Sequence, residues 1–135
     1  MIRQLDERIL VSGQVAPHEV AGLAEQGITM LVNNRPDGEE DGQPYASEIE
    51  EAAVRAGIGY RFVPIIRGIG PADIEEMQKA LRETGKGKLL AFCRSGTRSA
   101  FAVALARREE GASADEVSNC LVSAGFDPTA IAHLL

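Results

Sequence analysis

Two hydrophobic periods alternate along the 135 residues. Short apolar runs at Ile9-Leu10-Val11, Ile28–Asn33, Tyr60–Ile66 and Lys88–Phe92 predict strands. The second is apolar almost throughout, as a parallel strand covered on both faces would be. Pro64 in the third points to an edge position or a bulge. Between the runs the period changes to that of a helix. Pro17 opens a pattern in which Val20, Leu23 and Ala24 share a face, ended by Gly27. Ser47 and Glu50 match a capping box before Ala52, Ala53 and Ala56, ended by Gly57. Ile74, Met77 and Leu81 mark a third helix, ended by Gly85. Ala100 to Ala106 is apolar on every side, so the helix from Ser99 to about Glu110 is expected to be enclosed. Ser113 and Glu116 cap a further helix with Val117, Cys120, Leu121 and Ala124 inward. Asp127-Pro128 starts a short final one. Strands alternating with helices through single crossovers predict an α/β fold, a parallel central sheet flanked by helices, as one domain over residues 1–135.

Against that frame, Cys93-Arg94-Ser95-Gly96-Thr97-Arg98-Ser99 stands out, between the Lys88–Phe92 strand and the alanine-rich helix. A strand, a tight glycine-bearing loop and a helix start turn successive amides into one concavity that can hold an anion. The same field favours a thiolate at Cys93, the expected nucleophile. Gly96 lets an amide turn inward. Arg98 is placed to close on two oxygens with its planar fork, Arg94 to face substrate or solvent, and Ser99 to cap the helix and donate to the sulfur. Ser95 and Thr97 complete the anion-binding loop. A long polar segment, Asn34 to Pro44, leaves the carboxyl end of another predicted strand, where ligands gather in parallel sheets. It contributes Arg35 and Asp37. A second such loop, Arg67 to Pro71, contributes Arg67, with Asp73 at the helix start beyond it. Cys120 lies on an apolar helical face and is read as core.

Composition narrows the possibilities. Apolar residues make up 44% and charged residues 25%, and the net charge is -6. An acidic chain argues against nucleic acid as a partner. No apolar run reaches the about 18 residues of a membrane span, and no signal-peptide pattern opens the chain. A reducing, cytoplasmic setting is the expectation. His18 and His133 fall in no metal-ligand spacing, and neither a metal nor another cofactor is expected.

Cys93 to Arg98 resembles the active-site loop of rhodanese sulfurtransferases, Cys-Arg-x-Gly-x-Arg. Taken together, Val11-Ser12-Gly13-Gln14, the segment from Asn33 to Glu39, Gly57 to Pro64 and Cys93 to Ser99 resemble the beta-lactamase-hydrolase-like, phosphatase-like family. Its members are also described as candidate sulfurtransferases. The resemblance covers essentially the whole chain and implies the fold of dual-specificity protein tyrosine phosphatases. Those phosphatases carry Cys-x5-Arg, then Ser or Thr, and an aspartate acid on a neighbouring loop. Here Arg98 arrives one position sooner, and the loop after Ile66 offers Arg67-Gly68-Ile69-Gly70 in place of an acid.

A shorter loop without an acid favours sulfurtransferase chemistry over phosphate-ester cleavage. On that reading Cys93 takes a sulfane sulfur from a small anionic donor such as thiosulfate and passes it from a persulfide to a thiol acceptor. Arg98 and Arg94 stabilise charge, and Arg35 or Arg67 orients substrate. The alternative is a cysteine-dependent phosphatase with a phosphocysteine at Cys93, Arg98 on the phosphoryl oxygens, and Asp37 or Asp73 as acid. A non-enzymatic anion-binding module would use the same amides without the thiol.

Overall fold

A computed structural model describes residues 2–135. Five strands form one sheet in the order β1-β2-β5-β3-β4: β1 Ile2–Gln4, β2 Ile9–Ser12, β3 Ile28–Asn33, β4 Gly59–Phe62 and β5 Lys88–Phe92. All neighbouring pairs are parallel except β1 with β2. The antiparallel β1 was not legible as a strand, because all three of its residues are exposed and no burial pattern marks it. Pro64 lies beyond β4, which is an edge strand and stops at Phe62.

Side-chain alternation along the central strands divides the core in two. Leu89 and Ala91 of β5 join Val11, Met30 and Val32 on one face. Here they pack with α3 (Pro71–Glu83), α4 (Thr97–Glu109) and α5 (Ala114–Ser123). Leu90 and Phe92 face the other way with Ile28 and Leu31, toward α1 (Val20–Glu25) and α2 (Ala46–Ala56). Short 3-10 turns at Pro17–Glu19 and Pro128–Leu134 complete the chain.

Two helix starts differ from the local sequence signals. The second helix begins at Ala46 rather than on a Ser47 cap, and its first amide donates to Asp37 Oδ1 at 2.8 Å. A side chain nine residues upstream therefore does the capping that Ser47 and Glu50 were expected to do. The α4 helix begins at Thr97 with Gly96 as its N-cap, which moves Ser99 from the cap into the first turn. This helix is buried along Ser99, Ala100 and Ala102 to Ala106, so its amino terminus is held against the carboxyl end of β5.

Candidate active site

Cys93 follows the last residue of β5, and its amide donates to the Ser12 carbonyl at 3.3 Å, which ties the loop to the neighbouring strand. Its side chain is fully buried. Sγ accepts from the Gly96 amide at 3.1 Å. Gly96 achieves this with φ +96°, a conformation that a side chain would strain. Gly13 matters for a different reason. A Cβ there would stand 2.9 Å from the Arg94 carbonyl oxygen, so only glycine lets β2 pass beneath the loop.

Burial by itself would push the Cys93 thiol up. The amides of Ser99 and Ser95, the Ser99 hydroxyl and the Gly96 amide outweigh it, and the net shift is downward. The hydroxyl has only one proton to give. Asn34 Nδ2 donates to the Val63 carbonyl at 2.9 Å, which leaves Oδ1 as the acceptor that receives the Ser99 proton at 2.8 Å. In this arrangement the amides carry most of the thiolate's stabilisation.

Arg98 is positioned from outside its own loop. Nη1 and Nη2 close on Glu39 Oε2 and Oε1 at 2.7 and 2.8 Å, and Nη1 also donates to the Ile65 carbonyl at 2.8 Å. A guanidinium has five N–H groups. Among the described residues these bonds use three and leave the parallel pair on the Nε–Nη2 edge for two oxygens of an anion. The Glu39 carboxylate holds Arg98 above its ordinary pKa; burial opposes this, and the charge of Cys93 adds to it. In return, the hydrogen bond from Arg98 outweighs burial and, with Arg35 helping, brings Glu39 down to about 2. Glu39 is ionised at neutral pH.

Arg35 is 1% exposed and does not line an open substrate surface. Its guanidinium donates to Glu39 Oε1 at 2.9 Å, Glu40 Oε1 at 3.1 Å and Gln14 Oε1 at 3.0 Å. This corrects its expected substrate-orienting role: Arg35 braces the glutamate that braces Arg98. Asp37 caps α2, and Asp73 Oδ2 accepts from the Gly70 amide at 2.9 Å as part of the α3 cap. Arg94 and Arg67 are exposed, and Arg94 makes a long 3.9 Å ion pair with Glu40. Ser95 donates to the Thr97 hydroxyl at 3.2 Å on the exposed lip of the loop. Glu39, Asn34, Gln14 and Gly13 were not singled out by sequence reasoning. Only their place in the Val11–Gln14 and Asn33–Glu39 segments hinted at a role.

A surface cleft of about 600 Å³, lined by Ile69, Ile74, Leu105 and Leu135, contains none of these groups. No cluster of three or more His, Cys, Asp or Glu side chains among the described residues could hold a metal ion. Among the same residues, no helix is long and apolar enough to cross a membrane.

A buried cysteine at the mouth of a helix, on this mixed sheet, defines the dual-specificity phosphatase-like fold class. The chain belongs to the family described as "Beta-lactamase hydrolase-like protein, phosphatase-like domain", whose model matches residues 1–110. A beta-lactamase hydrolase-like protein of Xylella fastidiosa is 40% identical over 128 residues, which are 93% of this chain and 30% of that protein. The chain thus spans under a third of the length of that curated relative. A Neisseria meningitidis structure described as a candidate phosphatase superposes with a TM-score of 0.79 at 30% identity, covering 98% of this chain and 94% of that one. The structure of PTPMT1 superposes with a TM-score of 0.74 at 16% identity, covering 99% of this chain and 91% of that one, a likeness of fold.

These findings correct the sulfurtransferase reading. The matching family model is a phosphatase-like domain, and similar folds include Tk-PTP, PTPMT1 and kinase associated phosphatase. None of these proteins is a rhodanese, so the persulfide chemistry and its sulfur-donor and thiol-acceptor partners lose their support. The physical reason lies in the loop. A short loop disfavours phosphoryl transfer only where the loop alone places the arginine, and here Arg98 is brought to Cys93 by Glu39 and Ile65 from other segments.

Proposed function

We propose that this chain is a cysteine-dependent phosphatase acting through a phosphocysteine at Cys93. One observation carries the reading: a buried thiol, lowered in pKa by loop amides, faces an arginine whose Nε–Nη2 edge remains free. Sγ attacks the phosphorus and the ester oxygen departs. The amides from Ser95 to Ser99 and the free edge of Arg98 hold the three equatorial oxygens. Water then attacks the phosphocysteine, and the S–P electron pair returns to Sγ, where the same amides receive it as thiolate.

Glu39 and Arg35 act as positioning residues, and Arg94 and Arg67 form a cationic rim for the rest of the substrate. The working thiol suits a reducing compartment. The test is hydrolysis of an aryl phosphate, with quenched-flow mass spectrometry of the intact chain. A phosphoryl adduct on Cys93, lost together with turnover in Cys93→Ser, is the expected result. Turnover that survives Cys93→Ser rules the proposal out.

A further inference from the structure

A general acid has to hold a proton before turnover and be free to give it up. The carboxylates on the segments around Cys93 are poorly suited to this. Asp37 is bound to the Ala46 amide and Asp73 to the Gly70 amide, each as a helix cap. Glu39 is clamped between Arg98 and Arg35, and Glu40 is paired with Arg35. Asp41, exposed in the same loop, completes the set. On the Cys93 loop itself and on the loop after Ile66, the exposed charged groups are cations, Arg94 and Arg67.

We propose that this site selects phosphate esters and anhydrides whose leaving group is a weak base, and expels that group unprotonated. The inference rests on the phosphatase reading and names its substrate class: aryl phosphates, acyl phosphates and phosphoanhydrides, not phosphorylated alcohols. In the first step the S–P bond forms as the P–O bond breaks. The departing oxygen keeps the electron pair, is met by the exposed guanidinium groups, and takes its proton later from water. In the second step water adds to phosphorus, and the sulfur leaves as thiolate. Inorganic phosphate is released, and the water's proton is shared between phosphate and solvent. No oxidant, reductant or metal enters the balance.

The experiment measures kcat/KM of the full chain for a series of substituted phenyl phosphates of graded leaving-group pKa, with phosphoserine as the basic-alcohol case. The expected result is a loss of roughly tenfold per unit of leaving-group pKa, the dependence of a departure without proton donation, and no turnover of phosphoserine. Asp37→Asn, Asp41→Asn and Asp73→Asn keep the same slope. Asparagine retains the oxygen that caps each helix, so the Asp37 and Asp73 variants remain folded, and the slope is a ratio that the folded fraction does not alter. A slope shallower than about twofold per unit, or one that steepens in any of these variants, overturns the proposal while leaving the phosphatase reading intact. Absence of Cys93-dependent hydrolysis for even the most activated ester overturns the phosphatase reading itself, and this inference with it.

Discussion

Ser99 Oγ lies 2.8 Å from Asn34 Oδ1, and neither side chain is exposed to solvent. The contact joins the first turn of α4 to the end of β3, with the thiol beside it. Asn34→Ala strands the Val63 carbonyl and releases the Ser99 hydroxyl. The expected cost is about 1–3 kcal/mol, the price of an unpaired buried polar group, measured by denaturant unfolding. The freed hydroxyl turns to the sulfur, so the thiol pKa of the variant falls further, as read from the pH dependence of alkylation.

Glu39→Gln removes the charge from both guanidinium contacts at once. Charge-assisted hydrogen bonds are worth about 1.5–3 kcal/mol, so kcat/KM for an aryl phosphate is expected to fall about ten- to hundredfold. Steady-state kinetics on the folded variant check this.

The same residue predicts a pH dependence of stability. Its folded pKa of about 2 lies below the ordinary 4.5, so folding favours the ionised form. That contribution is complete above 4.5 and is lost as the pH falls through about 2. The stability gap between the natural chain and Glu39→Gln should be constant above 4.5 and narrow steadily with acid. A gap independent of pH down to 2 rules the assignment out.

Alkylation by a small reagent such as iodoacetamide should reach half its maximal rate at Cys93 below the ordinary thiol value of 9.0. Inorganic phosphate or vanadate should slow it by occupying the amide cradle. Peptide mapping separates this reaction from any at Cys120.

Gly13→Ala places a methyl group 2.9 Å from a backbone oxygen that cannot swing away, so the Cys93 loop shifts and phosphatase turnover is lost. Gly96→Ala forces a side chain into φ +96°. It costs about 1–2 kcal/mol of stability and turns the amide away from Sγ. Thermal unfolding together with the alkylation profile distinguishes the two effects.

The anion cradle was legible because its cause is local. An apolar strand, a glycine and an alanine-rich helix, in consecutive order, mark where the amides gather around Cys93. The helix start was misread by two positions, since Ser99 looks like a cap until Asn34 claims its hydroxyl. Arg35 was legible as a residue of interest but not in its role. A cation 1% exposed is specified by the carboxylates that close over it, which lie in a loop without periodicity. Asp37 looked like an acid because it follows a strand end, and only the fold shows that it caps a helix starting nine residues later.

The order of apolar and polar residues by itself determined the alternating layers and the position of the nucleophilic loop, because both follow from interactions between near neighbours in the chain. Tertiary structure alone decided what grips Arg98, where the Ser99 proton rests and which carboxylates are already engaged. The first two depend on contacts between segments 30 or more residues apart, Arg98 with Ile65 or Glu39 and Asn34 with Ser99, and the third on how an aperiodic loop folds over Arg35 and onto the start of α2. No local pattern encodes such a distance.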